Sequence, residues 1–120
     1  MMNAAVLRQP DVHLPAHPNE LDRRRIERAL GSRKRYRYVS PVVTGVTGGY
    51  LVESPCCSRN IDAEGGVIDV ALLHHDAASA SWKLFRKDHE TGAWELHGVH
   101  QRLASVTDAL NADPERVFWQ

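Results

Sequence analysis

The first stretch with a regular hydrophobic pattern begins at residue 19. Residues 1–18 contain several prolines and show little periodicity, and because proline disfavours helix in the residue before it, we predict an extended or disordered lead-in. Asn19 is a suitable N-cap, acidic residues follow it in the first turn, and Gly31 is a suitable C-cap. We therefore predict a helix over residues 20–30, whose thin apolar stripe leaves much of its surface to water or a partner.

From residue 36 onward, short runs of aromatic and β-branched residues separated by glycine replace the helical period and predict strands. The first runs flank the turn Gly45–Gly49, and a second hairpin is predicted around the turn Glu90–Gly92. The most apolar run, Gly66–Leu73, is expected at the centre of the sheet, with inward Ile68, Val70 and Leu72. The predicted strand segments are 36–39 with 42–43, 50–54, 66–73, 82–87 and 94–97, and the predicted irregular loop is Pro55–Gly66.

A helical pattern returns at residue 103. Its inward positions recur at i, i+3, i+4 and i+7, so they share one face and predict a helix that lies on the sheet. They are Leu103, Val106, Thr107 and Leu110. Asn111 is a suitable C-terminal cap for this helix.

The last residues are predicted to return to the core. Asp113 is a suitable N-cap for a new turn, and Val117–Trp119 is too apolar to remain in water. The order of a helix, about five antiparallel strands and a helix predicts a single two-layer α+β domain over residues 19–120. Its sheet combines two hairpins with a central strand. The aromatic residues expected in its core are Trp82, Phe85, Trp94, Phe118 and Trp119.

The aromatic pattern of the last forty residues resembles a family of small bacterial proteins known as domain of unknown function 3024. The resemblance runs from Trp82–Phe85 through Trp94 and the helix Leu103–Leu110 to Asp113 and Phe118–Trp119. It implies a fold for this part of the chain. It implies no activity, because the family has none assigned.

The composition is that of an ordinary soluble globular protein, with 42% hydrophobic and 25% charged residues among 120. It excludes a disordered, collagen-like or membrane-spanning chain. No basic region precedes a long apolar run at the N-terminus, so we expect a cytoplasmic protein with no membrane partner. In that compartment the adjacent Cys56 and Cys57 are expected to remain thiols.

Basic charge is concentrated near the front of the chain. Residues 19–40 carry eight basic and three acidic residues, a net charge of +5, whereas residues 41–120 carry six and eleven, a net charge of −5. Arginine suits bidentate contact with phosphate or carboxylate, and alternating tyrosines offer stacking surfaces. A surface for nucleic acid or an acidic protein is one interpretation, and a solvated or self-paired charged face is the other. The predicted binding residues are Arg24, Arg28, Arg33, Lys34, Arg35, Tyr36, Arg37 and Tyr38.

A thiol site is the main catalytic alternative. Arg59 lies two positions after Cys57 and would stabilise its thiolate, which would lower the pKa of Cys57 and make it nucleophilic. The competing interpretation makes Cys57 a small buried residue in a turn. Zinc ligation is not expected, because adjacent pairs such as Cys56–Cys57 and His74–His75 lack the spacing that lets two side chains converge on one metal.

Asp69 interrupts the most apolar strand and is the third candidate for catalysis. A carboxylate there needs a charged partner if it is buried, and Arg59 is one candidate. The arrangement resembles the core of metal-dependent nucleases, but Ser81 stands where their second carboxylate is needed. The alternative places Asp69 on the polar face of the sheet by period-two alternation.

These features leave three classes of function open. The favoured class is a non-enzymatic binding or accessory module that contacts nucleic acid or an acidic protein through its basic surface. The second is a thiol-dependent enzyme or redox protein, and the third is a structural homodimer formed through a sheet edge or the first helix. No cofactor is expected for any of them.

Overall fold

Two helices and five strands form in the computed structural model, which describes residues 16–33, 40–55 and 66–119. In chain order the elements are α1 (Glu20–Leu30), β1 (Val42–Val46), β2 (Gly49–Pro55), β3 (Val67–Asp76), β4 (Ser81–Asp88), β5 (Ala93–His100) and α2 (Leu103–Ala112). The strands pair in that order as one antiparallel sheet with β3 at its centre, which confirms the expected α+β architecture. Within the described ranges no helix is long and apolar enough to cross a membrane.

Helix α1 has the bounds and caps that its sequence predicts. The side chain of Asn19 accepts a hydrogen bond from the Asp22 N–H at 2.8 Å, and the Gly31 N–H donates to carbonyls of the last turn. Ile26 and Leu30 are fully buried, so the thin apolar stripe faces the sheet. The exposed residues of the helix, which include Leu21, Arg24, Arg25 and Arg28, lie away from this stripe.

The first hairpin has a shorter turn than the glycine pattern suggests. Strand β1 continues through Gly45 to Val46, and only Thr47 and Gly48 form the turn, with φ of +77° at Gly48. A Cβ at Gly45 would lie 2.8 Å from the Pro18 Cβ, so glycine at this strand position allows the incoming chain to pack closely. The turn predicted over residues 45–49 is therefore longer than the turn in the structure, which consists of Thr47 and Gly48. The predicted segment 36–39 lies outside the described residues.

A bulge in β3 changes which residues face the helices. The pairing between β2 and β3 skips Val70, and both Val70 and Ala71 are buried. Beyond the bulge the inward positions are odd-numbered, so Leu73 is fully buried while Leu72 is half-buried on the opposite face. The predicted inward set of Ile68, Val70 and Leu72 is therefore wrong for Leu72.

The core lies between the two helices and one face of the sheet, the inner face. Trp82, Phe118 and Trp119 are buried there as expected. Phe85 and Trp94 are only half-buried, because their strand positions place them on the outer face, which no described helix covers. The expectation that these two residues belong to the core is wrong. The other core residues are Ile26, Leu30, Val43, Tyr50, Val52, Val70, Ala71, Leu73, Leu84, Val106 and Leu110.

Helix α2 ends at Ala112 and has Asp113 as its C-cap, rather than the expected Asn111. Asp113 adopts a left-handed conformation with φ of 31°, which aspartate tolerates better than most residues. Asn111 lies within the helix, and its Nδ2 donates to the Ala29 carbonyl at 2.9 Å. Its amide therefore joins α2 to the last turn of α1 instead of capping its own helix.

The Asp113 carboxylate also organises the C-terminal turn. It accepts hydrogen bonds from three backbone N–H groups, those of Val117 at 2.9 Å, Phe118 at 3.3 Å and Trp119 at 2.8 Å. The Trp119 indole in turn donates to the Leu110 carbonyl at 2.7 Å. These contacts hold the apolar C-terminal residues against the core, as their sequence predicts.

Candidate functional site

Helix α1 presents a basic stripe on the side away from the sheet. Arg24, Arg25 and Arg28 follow Leu21 at i+3, i+4 and i+7, so the four residues share one face. All four are exposed, and the side chains of Arg24 and Arg25 are 73% and 64% accessible. We call Arg24, Arg25 and Arg28 the basic stripe. It contains the predicted binding residues Arg24 and Arg28, and Arg25 in addition.

Acidic residues of the same helix pair with part of this stripe. Glu20 accepts hydrogen bonds at 2.8 Å from both Arg23 and Arg24, which lower the pKa of Glu20 to about 2. Arg25 donates to Asp22 at 3.1 Å. The Arg24–Glu20 pair is exposed on both sides and stabilises the protein little, because water screens both of its charges. A phosphate group can therefore replace Glu20 as the partner of Arg24 at small cost.

Two other arginines of this region belong to the fold rather than to the stripe. Arg23 donates from Nη1 to the Val43 carbonyl at 3.1 Å and so attaches α1 to β1. Arg33 is 3% exposed and lies 4.7 Å above the Trp119 ring, and burial lowers its pKa. The sequence placed Arg33 among the binding residues. The structure instead buries it, because its guanidinium caps α1 by donating to the Leu30 carbonyl at 2.8 Å.

Most of the remaining candidates lie outside the described residues. This group contains the rest of the Arg/Tyr run and both residues of the proposed thiol site. They are Lys34, Arg35, Tyr36, Arg37, Tyr38, Cys57 and Arg59. The described part of the predicted binding surface is therefore α1.

Asp69 lies on the outer face of the sheet, where the period-two interpretation places it. Its carboxylate pairs with the Lys87 Nζ at 2.9 Å, and that Nζ also lies 4.7 Å from the Trp94 ring centroid. The charged partner of the Asp69 carboxylate is therefore Lys87 on β4. Within the described ranges no three His, Cys, Asp or Glu residues cluster in a way that could hold a metal.

A buried cluster around His17 has no counterpart in the sequence interpretation. The His17 ring packs 4.7 Å from both the His75 and the Trp82 ring centroids. Its Nδ1 lies 2.8 Å from the Tyr50 hydroxyl and 3.7 Å from the Asp22 carboxylate. No periodic pattern marks His17, which follows the proline-rich start of the chain. Its role depends on partners that are distant in sequence.

The Tyr50 hydroxyl joins His17 to the start of α1. Its oxygen accepts from the Asn19 N–H at 3.0 Å, and the hydroxyl donates to the Asn19 carbonyl at 3.5 Å while lying 2.8 Å from Nδ1 of His17. Burial, followed by the charge of His75, lowers the pKa of His17 despite the opposing effect of Asp22, which favours the neutral imidazole.

Comparison with known proteins finds a family match over most of the chain. The model of one family, a domain of unknown function (DUF3024), matches residues 14–120. The matched segment includes His17, α1 and the whole sheet as well as the C-terminal part. No curated protein and no solved structure matches the chain. The ligand of the candidate surface is therefore indicated only by the charge and exposure of its own residues.

Proposed function

The chain belongs to the DUF3024 family of domains of unknown function, and we propose that it is a non-enzymatic binding module for nucleic acid. The basic stripe of α1 forms the contact surface. The contacts are made to the phosphate backbone, so the stripe supplies affinity and orientation without reading base sequence.

The exposure of the basic stripe is the observation that carries this proposal. Arg24 and Arg28 are exposed and one helical turn apart on α1. A guanidinium suits a phosphate in bidentate geometry. The stripe therefore offers three exposed cations on one face of the helix.

The distribution of charge supports the same function. Residues 19–40 carry a net charge of +5 and residues 41–120 a net charge of −5, so the neutral chain has two segments of opposite net charge. A polyanion approaching this molecule is attracted to the front part and repelled by the rest. This asymmetry favours one orientation of the bound strand.

Fluorescence anisotropy with labelled, mixed-sequence single-stranded RNA and DNA tests the proposal. The double variant Arg24→Gln, Arg28→Gln removes two stripe cations while keeping helix-compatible side chains. We expect at least a tenfold loss of affinity at low salt. Arg116→Gln, which removes one exposed cation far from α1 in sequence, serves as the control and should bind nearly as well as the wild type.

Failure of the wild type to bind at low salt would rule out nucleic acid as the ligand. An equal loss in the control variant would show that only overall charge matters. Polyglutamate in the same assay separates nucleic acid from an acidic protein surface. Binding to polyglutamate alone would favour the acidic protein partner.

Self-association is a second candidate function, favoured by the uncovered outer face. Register places Leu51, Leu72, Phe85 and Leu96 side by side across four strands of this face. A row of apolar side chains that no described helix covers is suited to packing against another sheet. Sedimentation at micromolar concentration tests this. A dimer that Leu96→Lys dissociates supports it, and a monomer excludes it.

The thiol-dependent alternative has no described geometry to support it. It depends on Cys57 and Arg59, which lie outside the described ranges. The third catalytic candidate, Asp69, is already paired with Lys87. The binding module is therefore the function that the described residues favour.

A further inference from the structure

The outer face of the sheet has a continuous apolar centre. The row Leu51, Leu72, Phe85 and Leu96 crosses four strands, and each member lies opposite the next in the register. At the edge strand β5 the apolar surface is open to solvent, because Leu96 and Val99 are each 55% exposed. Both described helices pack on the other side of the sheet. Among the described residues, therefore, no second layer covers this apolar face.

The area of the outer face is large enough for a stable interface. The five strands are spaced about 4.8 Å apart, and strands of 8 residues such as β4 and β5 extend about 26 Å. The face thus measures roughly 500 Å² in projection, so two copies packed together would bury about 1,000 Å² or more. Specific protein interfaces begin near this total. One face of this sheet on another is therefore sufficient for a dimer.

The charges beside the apolar row are balanced within one copy. The Lys87 Nζ lies 2.9 Å from the Asp69 carboxylate, and the Lys83 Nζ lies 3.9 Å from the Asp76 carboxylate. Of the described side chains that strand alternation places on this face, Glu53 is the charged one without an ion pair. A face with so little net charge does not repel a second copy of itself, and it attracts a strongly charged partner only weakly.

We propose that two copies of this chain pack outer face on outer face, so that the partner in self-association is the same surface of a second molecule. A two-fold dimer uses one patch twice, and an apolar row that is nearly neutral satisfies both sides at once. The two sheets lie about 10 Å apart with their strands roughly aligned. The layers of the dimer then run helix, sheet, sheet, helix.

This arrangement determines where the two basic stripes lie. In each copy the stripe is on the side of α1 opposite the buried Ile26 and Leu30, which pack on the sheet. The stripes of the dimer therefore lie on opposite outer sides of the particle. The dimer, in an inference that rests on the proposed nucleic-acid function, holds two separate strands and bridges them, whereas a monomer holds one.

Sedimentation velocity over a range of micromolar concentrations tests the dimer. The wild type should sediment as a dimer and remain one at high salt, because salt does not screen apolar contacts. Leu96→Lys places a charge in the interface and should weaken dimerisation by about tenfold or more. Leu21→Lys makes the same change on α1 at a matched exposure, 58% against 55%, and should remain a dimer.

A second variant separates face packing from pairing through the open edge of β5. Leu72→Thr changes the centre of the outer face on β3, whose two edges are both paired within the sheet, and threonine suits a strand. Face packing predicts that this variant weakens the dimer, whereas edge pairing predicts that it does not. Far-UV circular dichroism checks that each variant keeps the fold of the wild type.

Energy transfer between short single-stranded DNAs tests the bridging. One pool of oligonucleotides carries a donor dye and the other carries an acceptor dye, and the two pools do not pair with each other. The wild type should bring both dyes onto one particle and produce energy transfer. Leu96→Lys should still bind each strand, as anisotropy measures, but should lose the energy transfer.

Three results would overturn the proposal. A wild type that is monomeric at every concentration would leave the outer face to another segment of the chain or to a different partner. A dimer that Leu72→Thr leaves intact would exclude face packing, and a DNA-binding dimer without energy transfer would exclude bridging. A dimer that binds no DNA would contradict only the proposed function, and a monomer that binds DNA would contradict only the dimer.

Discussion

Single polar side chains hold the two ends of this fold in place. Asp113 secures the C-terminal turn through three backbone N–H groups, and it is 1% exposed. His17 secures the entry to α1 through Tyr50, whose hydroxyl lies 2.8 Å from His17 Nδ1. Each replaces water as the hydrogen-bond partner of groups that burial would otherwise leave without one.

Replacing Asp113 with alanine should destabilise the protein by roughly 2–4 kcal/mol, because the variant leaves buried N–H groups without an acceptor. Asp113→Asn should cost less, since asparagine keeps one acceptor oxygen and tolerates the left-handed backbone. Urea unfolding of both variants gives the comparison. Asp108→Ala, on the exposed face of α2, is the control and should stay close to the wild type.

The stability of the protein should fall as the pH drops below the ordinary histidine value of 6.5. The lowered pKa of His17 means that the unfolded chain takes up this proton at a higher pH than the folded chain. The contribution of His17 is therefore complete above 6.5 and is lost as the pH falls from there toward the folded pKa. The groups facing His17 are His75, Asp22 and Tyr50.

Free energies of unfolding measured between about pH 8 and pH 5 check this dependence. His17→Gln should flatten the curve over this window, because glutamine does not titrate. Burial also lowers the pKa of His89, so a residual slope should persist in the variant. A variant curve parallel to that of the wild type would contradict the role of His17.

At the scale of elements, α1 combines a core contact with an outward basic stripe. Its inner residues Ile26 and Leu30 pack on the sheet while the basic stripe faces solvent. Glu20 pairs with Arg23, which attaches α1 to the sheet, and also with Arg24, which belongs to the basic stripe. The helix thus contains a carboxylate that competes with any external phosphate.

Removing that competitor should strengthen nucleic-acid binding. Glu20→Gln frees Arg24 and raises the positive charge of the helix, so we expect roughly a two- to threefold gain in affinity at low salt. Anisotropy with the same labelled strands measures it. Glu115→Gln changes the net charge equally at an exposed position elsewhere and should gain less. Unchanged or weaker binding by Glu20→Gln would show that the stripe does not contact phosphate.

The elements with strong local signals are those that the sequence predicts well. The cap Asn19 and the face that contains Leu103 and Leu110 depend on neighbours a few residues away, and both helices have the expected position. The inward phase of β3 changes at Val70, because the bulge is set by pairing with β2. A period-two pattern on one strand cannot show such a change, which explains the error at Leu72.

The candidate site shows the same difference between residues with local sequence signals and residues that depend on distant contacts. The stripe follows from helical spacing within one element, so the sequence predicts Arg24 and Arg28 together. Arg33 is adjacent to the same run of basic residues, but its burial depends on Trp119, which is distant in the chain. The cluster around His17 requires His17, Tyr50 and Trp82 to meet, and no single segment contains that information.

At the scale of the whole molecule, the fold is a sheet with one covered and one open face. Both helices pack on the inner face, and the outer face has a row of apolar side chains that no described helix covers. The basic stripe lies on the helical side, away from that row. The proposed nucleic-acid binding and the proposed self-association would therefore use different surfaces of the molecule.

The salt dependence of nucleic-acid affinity tests the central claim most directly. Three stripe contacts to a single strand predict that the logarithm of the association constant falls with the logarithm of salt concentration with a slope of about −2 or steeper. The Arg24→Gln, Arg28→Gln variant should reduce the steepness by about 1.4. A wild-type slope near zero, or an identical slope in the variant, would contradict phosphate binding by the basic stripe.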